Sequence, residues 1–287
     1  MDQFAGRVAV VTGAGSGMGR AFALRFAAEG MHVVAADIQQ DALDRTVTEL
    51  SDGGTQAIGV RTDVSDPAAV TALADAAMDR FGAVHLLCNN AGVEGYLDGA
   101  IWEATDKDWS WTFDVNYWSV VHGIRAFVPR MLAHGEPAHV VNTCSMTSVV
   151  AASNMYGITK QSVLALTEVL AADLAARGAS VGVTALCPGI IATNLFHGSR
   201  NRPEDLRNEA ETEGAREGVQ LRERMHATLS EGMPPSEVAD LLVDAVRRDA
   251  RYLLTDHDWD HLVRARTEAI LAGAVGGPAR PLPGAGE

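Results

Sequence analysis

The stretch Val8-Ala9-Val10-Val11-Thr12-Gly13-Ala14-Gly15-Ser16-Gly17-Met18-Gly19 decides the fold class. An apolar β-branched run reads as a strand buried on both faces, and the glycine-rich segment after it opens at once into a helical pattern. A strand that feeds directly into a helix points free backbone N–H groups and the positive end of the helix dipole at one spot, which is an anion site. Gly13 permits the turn, Gly17 lets the backbone approach a pyrophosphate, and Gly19 lets the helix pack closely on the strand. Ser16 and Met18 belong to the same phosphate-binding loop.

The alternation continues downstream. Short β-branched runs at 31–36, 57–62, 86–88, 139–143 and 181–186 read as strands, several of them apolar on both faces. Helical patterns at 20–29, 41–50, 67–81 and 156–177 fill the gaps, and Gly30, Gly53-Gly54 and Gly178 stop three of them. Apolar strands separated by helices signify a parallel sheet, because parallel strands need crossovers and the crossover helices cover both faces. A helix at 236–248, a short strand at 251–255 and a helix at 257–271 complete the pattern. The expected fold is α/β, a doubly wound Rossmann fold with a parallel sheet of about seven strands, forming a single domain over 1–272. Residues 194–235 are charged, poor in apolar side chains and too long for a turn, so they are expected to form a substrate lid within that domain, built of one or two short helices. The Gly/Pro/Ala-rich stretch 273–287 is expected to be a flexible tail.

Composition narrows the function classes. With 47% hydrophobic and 21% charged residues the chain reads as a soluble globular protein. Its 23 Lys+Arg against 37 Asp+Glu give a net charge of −14 and no basic face, which argues against a nucleic-acid partner. No window of about 18 apolar residues is free of charge, and no basic region precedes an apolar stretch at the start. Neither a membrane partner nor a signal peptide is expected, and the location inferred is cytoplasmic. Cys88, Cys144 and Cys187 are widely spaced, with no CxxC pair, so reduced thiols are expected rather than disulfides or a metal site.

Asp37 ends the second strand 18 residues beyond Gly19, where a carboxylate can accept both ribose hydroxyls of an adenosine. A glycine turn and a helix-capping Asp would explain each part separately but not their joint spacing. A carboxylate there repels a 2′-phosphate, and Ile38 next to it offers no compensating charge, so NAD is expected rather than NADP.

Further motifs follow in order: Asp63-Val64, Asn89-Asn90-Ala91-Gly92, Asn116, Ser145, Tyr156-Gly157-Ile158-Thr159-Lys160 and Pro188-Gly189-Ile190-Ile191-Ala192-Thr193. Together with the glycine-rich loop they give the chain a pattern that resembles the short-chain dehydrogenase/reductase family over residues 6–193. The chemistry supplies a reason for the central pair. Tyr156, with an ordinary phenol pKa of about 10, is a poor base until a cation stabilises its phenolate. Lys160, four residues along the same helix face, can be that cation.

The resemblance implies that Ser145 hydrogen-bonds the substrate oxygen and that Asn116 holds a water relaying protons through Lys160. It implies Asp63 and Val64 at the adenine, Asn90 and Ala91 with Gly92 beside the adenosine ribose, and Ile191 and Thr193 at the carboxamide with Pro188 and Gly189 of the same motif. Tyr156 and Lys160 count as cofactor contacts as well, and a homo-oligomer, dimer or tetramer, is implied. Two departures stand out. Ser145 precedes Tyr156 by 11 residues, a shorter spacing than the family commonly shows, which would leave the pocket more open. The family's Gly-rich C-terminal motif is replaced by Tyr252-Leu253-Leu254-Thr255-Asp256, which resembles the subgroup containing aryl-alcohol Cα-dehydrogenases.

The activity expected is hydride transfer between NAD and a small molecule, a hydrophobic secondary alcohol or ketone, with Tyr156 as acid and base. Glu94, Tyr96, Met146, Met155, Leu195, Phe196 and His197 are the candidates for contact with it. A catalytically silent NAD-binding sensor or scaffold has no need of Ser145, Tyr156 and Lys160 together, and an NADPH-dependent ketoreductase is disfavoured by Asp37. His32, His85 and His139 flank strands and read as structural. Trp102, Trp109, Trp111 and Trp118 share one helical region and are expected to be core or interface residues rather than a ligand cage.

Overall fold

Strand β1 (Val8–Thr12) is buried along its whole length in the computed structural model, which describes residues 1–208 and 213–273. Its alternate side chains serve two different layers. Ala9 and Val11 pack with Phe22, Phe26, Val238 and Leu242 on one face, and Val8 and Val10 pack with Leu73, Phe127, Leu170 and Leu174 on the other. Burial of each such valine, leucine or phenylalanine side chain contributes about 1.5–3 kcal/mol, which is why an uninterrupted apolar run is required where both faces are covered.

Among the described residues β1 is joined by β2 (His32–Asp37), β3 (Ala57–Arg61), β4 (Leu86–Asn89), β5 (Ala138–Thr143), β6 (Val181–Cys187) and β7 (Tyr252–Leu254). The order across the sheet is β3-β2-β1-β4-β5-β6-β7, and each neighbouring pair is parallel. Helices α1 (Gly17–Ala28), α2 (Gln40–Asp52), α3 (Pro67–Phe81), α4 (Asp106–Phe113), α5 (Ser119–His134) and α6 (Met155–Ala176) cross between strands or flank the sheet. The expected doubly wound α/β sheet of seven parallel strands is the observed one. β1 has β2 on one side and β4 on the other, so the chain turns in opposite directions from it and leaves a crevice at the carboxyl ends of the strands.

Several differences have physical causes. Helix α1 starts at Gly17 rather than at 20, because the glycine-rich loop is itself the helix N-terminus. Between α4 and α5 the backbone widens into a π-helical turn, Asp114–Trp118, an irregularity frequent at functional sites. The segment 194–235, expected to be a lid, is more regular than expected in its described residues. It holds 3-10 turns Leu195–Asn201 and Glu204–Leu206, and then α7 (Glu213–Ser230), before α8 (Pro235–Arg247) and α9 (Asp260–Leu271). The tryptophans divide. Trp111 is buried, but Trp102 and Trp118 are 83% and 46% exposed, because they lie on the outer side of the short turn before α4 and of the π-helical turn. Those two are therefore not core. Residues 274–287 of the expected tail lie outside the described residues.

Candidate active site

The glycine-rich loop leaves its helix end open. Ser16 caps α1 with extended backbone and no side-chain hydrogen bond, so the first helical N–H groups keep their free donor capacity. Gly17 adopts φ +52°, a left-handed value that favours glycine, and a Cβ on Gly19 would strike the Gly13 carbonyl. Asp37 closes the loop from β2. Its Oδ2 accepts the Gly15 N–H at 2.8 Å and its Oδ1 accepts the Gln39 N–H at 2.9 Å, so the carboxylate is oriented by backbone donors on both sides.

A second network ties this loop to the catalytic candidates. The Thr12 hydroxyl accepts the N–H groups of Asn90 and Ala91 at 2.9 and 3.1 Å, and Asn90 Nδ2 donates back to the Thr12 carbonyl at 3.0 Å. Thr143 Oγ1 donates to Asn90 Oδ1 at 3.3 Å, and the Thr143 carbonyl accepts Lys160 Nζ at 2.7 Å. Lys160 is buried, its Nζ 5.6 Å from the centre of the Tyr156 ring. Burial pulls the Lys160 ammonium down to about 8. Burial pushes the Tyr156 phenol up to about 12, with the Ser145 hydroxyl beside it pulling the other way. Ser145 starts a 3-10 turn, its oxygen accepting the Thr147 N–H at 3.1 Å.

Asn116 is held in the π-helical turn. Its Oδ1 accepts the Val93 N–H at 2.8 Å, and its Nδ2 donates to the Val93 carbonyl at 2.9 Å and to Thr159 Oγ1 at 3.1 Å. A Cβ on Gly92 would lie 3.3 Å from Asn116 Oδ1 and 3.5 Å from Lys160 Nζ, so the Gly92 backbone occupies the gap between the two.

Two cavities meet at the carboxyl ends of the strands. The first is a cleft along Gly13, Ser16, Met18, Asp37, Asp63, Val64, Asn90, Ala91 and Gly92, roofed by Leu195, Arg200, Asn201 and Leu206. It brings together most of the residues expected at a dinucleotide, while Gly17 and Gly19 act on backbone shape. The second cavity is lined by Ser145, Tyr156, Met18, Pro188, Gly189, Ile191 and Thr193, with Met146, Leu195 and Phe196 from the candidates for substrate contact. No charged side chain lines it among the described residues.

Other substrate candidates lie elsewhere. Met155 is fully buried and does not reach the second cavity. Glu94 is buried and ties down the segment after β6, its Oε1 accepting the Ser199 N–H at 3.2 Å with Arg222 Nε at 3.5 Å. Burial pushes its carboxyl up, and Arg222 draws it partly back. Tyr96 is buried too, its hydroxyl near Gly99. His197 packs on His226 with ring centres 3.9 Å apart and lines a shallow hollow on the outside of the roof. Sequence reasoning missed Trp259, Met225, Thr228 and Leu229, which wall the second cavity. Met225 and Leu229 are four apart on α7, a spacing readable only once that helix is recognised. Trp259, at the head of α9, carries no local signal.

The histidines expected to be structural make structural contacts. His139 is fully buried with Nε2 2.8 Å from Thr184 Oγ1, and burial holds its imidazole down to about 3, hence neutral. His85, His134 and Glu136 bring possible ligand atoms within 4.8 Å of one another. Val8 and Glu136 N–H groups donate to His85 Nδ1 and His134 Nδ1 at 3.2 and 3.1 Å, which leaves the protons on Nε2 and both rings committed to hydrogen bonds.

A family model described as short chain dehydrogenase matches residues 7–204. The chain is 45% identical over 194 residues to a 1-deoxy-11-beta-hydroxypentalenate dehydrogenase of Streptomyces exfoliatus, covering 67% of this chain and 70% of that protein. It is 32% identical over 257 residues to a C alpha-dehydrogenase of a Sphingobium species, covering 88% of this chain and 82% of that one. A short chain dehydrogenase/reductase from Burkholderia phymatum, crystallised with NAD, is 43% identical with a TM-score of 0.92, covering 98% of this chain and 99% of the other.

Proposed function

The chain belongs to the short-chain dehydrogenase family and is an oxidoreductase of that type, and on that premise we propose that it transfers hydride between NAD and a neutral, apolar secondary alcohol or its ketone, with Tyr156 as acid and base. The observation that carries the reading is the convergence of Ser145 and Tyr156 on a cavity whose described lining holds no charge, with the buried Lys160 beside the Tyr156 ring. A substrate with an apolar body keeps its hydration cost low there, whereas a charged group would be buried without a partner.

The first cleft fits a dinucleotide. The open end of α1 offers backbone donors to a pyrophosphate, and a Cβ on Gly15 would lie 2.9 Å from Asp37 Oδ2, so the loop and the carboxylate leave room only for backbone between them. Asp37 would hold the adenosine ribose, Asp63 and Val64 the adenine, Asn90 with Ala91 the neighbouring ribose wall, and Ile191 with Thr193 the carboxamide. When bound, NAD supplies the carbon that accepts or returns the hydride. Asp37 supports NAD over NADP, and the neighbour crystallised with NAD supports it too.

Ser145 donates to the substrate oxygen and fixes the carbinol beside Tyr156. Tyr156 takes the hydroxyl proton as hydride leaves, and it returns a proton in the reverse direction. Lys160, held by the Thr143 carbonyl, places its positive charge beside the phenolate that forms. Asn116, across Gly92 from Lys160, would hold a water that relays protons through Lys160, while its side chain keeps the Val93 backbone satisfied. Met146, Met225, Leu229 and Trp259 supply adaptable apolar walls, and the segment 194–235 acts as a lid that excludes water. The reading keeps the protein in the cytoplasm, as three free and buried thiols suit a reducing compartment, and as a dimer or tetramer.

The test is NAD reduction with a panel of steroid, terpene, aryl and alicyclic secondary alcohols. Turnover of neutral apolar members is expected. Tight NAD binding with no turnover across the panel would instead favour a catalytically silent sensor.

A further inference from the structure

The cleft assigned to the dinucleotide is acidic. Asp37, Asp63 and Asp114 all line it, and among its described lining residues Arg200 is the cation. A pyrophosphate carries two negative charges, so helix-end N–H groups alone would hold it against three carboxylates.

Arg200 does not come from the sheet or from α1. It belongs to the 3-10 turn Leu195–Asn201 that roofs the cleft, and that roof is fastened on both sides of it. The Ser199 N–H is held by Glu94 at 3.2 Å, and Asn201 Oδ1 accepts Gln39 Nε2 at 2.7 Å. Next along the chain, Arg202 pairs with the buried Asp108 at 2.7 Å and lies over the Trp111 ring at 5.1 Å. The Arg200 backbone is thus fixed above the cleft while its side chain stays exposed, bonded through Nη1 to the His197 carbonyl at 2.6 Å. A guanidinium has five N–H donors in a planar fork that matches phosphate oxygens, and most of them remain available.

Building on the assignment of this cleft to NAD, we propose that Arg200 is a pyrophosphate clamp, closing on the cofactor phosphates from the roof, opposite the glycine-rich loop. The arrangement makes the lid segment a cofactor-holding element at its start and a substrate wall at α7. Arg202, already committed to Asp108 and Trp111, is the fastening, and Arg200 is the contact.

The experiment is equilibrium binding by titration calorimetry of NAD, ADP-ribose and adenosine to the wild-type protein, Arg200→Gln and Arg200→Lys. The clamp predicts that Arg200→Gln weakens NAD and ADP-ribose roughly tenfold, as loss of a charge-assisted hydrogen bond should, while adenosine is unchanged. Arg200→Lys should recover part of the loss, and raising salt should weaken NAD less in Arg200→Gln than in the wild type. NAD affinity within twofold of wild type in Arg200→Gln overturns the proposal, as does an equal loss for adenosine, which would mean that the roof had shifted. A wild-type protein that binds no NAD at all overturns the cofactor assignment and the clamp together.

Discussion

Lys160 donates its ammonium to the Thr143 carbonyl at 2.7 Å, and this bond fixes the charge 5.6 Å from the centre of the Tyr156 ring. The same Thr143 reaches Asn90, which bonds to Thr12 at the mouth of the glycine-rich loop, so the cation and the phosphate-binding loop share one continuous hydrogen-bonded frame. That frame holds the Lys160 ammonium beside Tyr156.

The pH dependence follows from that pair. Burial pulls Lys160 down to about 8 and pushes Tyr156 up to about 12, so the first of the two protons is lost near pH 8, where Lys160 titrates. Alcohol oxidation needs the pair one proton short. The kcat/KM for oxidation should climb about tenfold per pH unit below that point and level above it, while ketone reduction falls as pH rises through it. A flat oxidation profile from about pH 6 to 9 would contradict the pairing.

Asn116→Ala strips the Val93 N–H and carbonyl of their buried partners. Each unpaired group costs about 1–3 kcal/mol, and a loss of that size lowers Tm by about 2–4 °C per kcal/mol for a chain near this length. Thermal unfolding should show the drop together with a lower kcat. An unchanged Tm would mean that Asn116 does not hold the π-helical turn.

Asp37→Ala should weaken NAD roughly tenfold and narrow the preference over NADP, because it removes the acceptor for the ribose hydroxyls and the charge that repels a 2′-phosphate. Paired titrations with both cofactors measure this. A wild-type preference for NADP would refute the assignment outright.

The three thiols should resist alkylation in the native protein. Cys88, Cys144 and Cys187 are fully buried, and burial pushes the Cys88 thiol far up. The Cys187 thiol is pushed up by its hydrogen bond with Cys144 and by burial. Thiolate is the reactive form, so labelling should proceed only with unfolding. Cys144 also lines the second cavity, so rapid labelling that NAD blocks would instead indicate that this cavity opens to reagent.

Much of this was legible from spacing. The run from Val8 to Gly19 and the acid at Asp37 imply the strand, loop and crevice, because backbone geometry allows few other uses for glycines at those intervals. The spacing of Tyr156 and Lys160 likewise implies a shared site, since a helix places residues four apart on one face, whereas Ser145 joins them through the family resemblance. What was not legible depends on contacts distant in sequence. The π-helical turn around Asn116 has no local glycine or proline to announce it. Glu94 anchors the segment after β6 because Ser199 and Arg222 reach it, over a hundred residues away. Trp259 becomes a cavity wall only through the packing of α9 against Cys144, Met146 and Cys187. The exposed Trp102 and Trp118 show the converse, as aromatic content alone does not distinguish a buried side chain from one facing outward.

Tyr156→Phe, assayed for NAD-linked oxidation of the best alcohol and for NAD binding on the same preparation, bears most directly on the proton-transfer role. The variant keeps the ring that packs beside Lys160 and removes only the hydroxyl that exchanges the proton. Turnover should fall by about a hundredfold to ten-thousandfold, the usual contribution of a general acid–base group, with NAD affinity within a few-fold of wild type. A kcat near the wild-type value in Tyr156→Phe would contradict the mechanism.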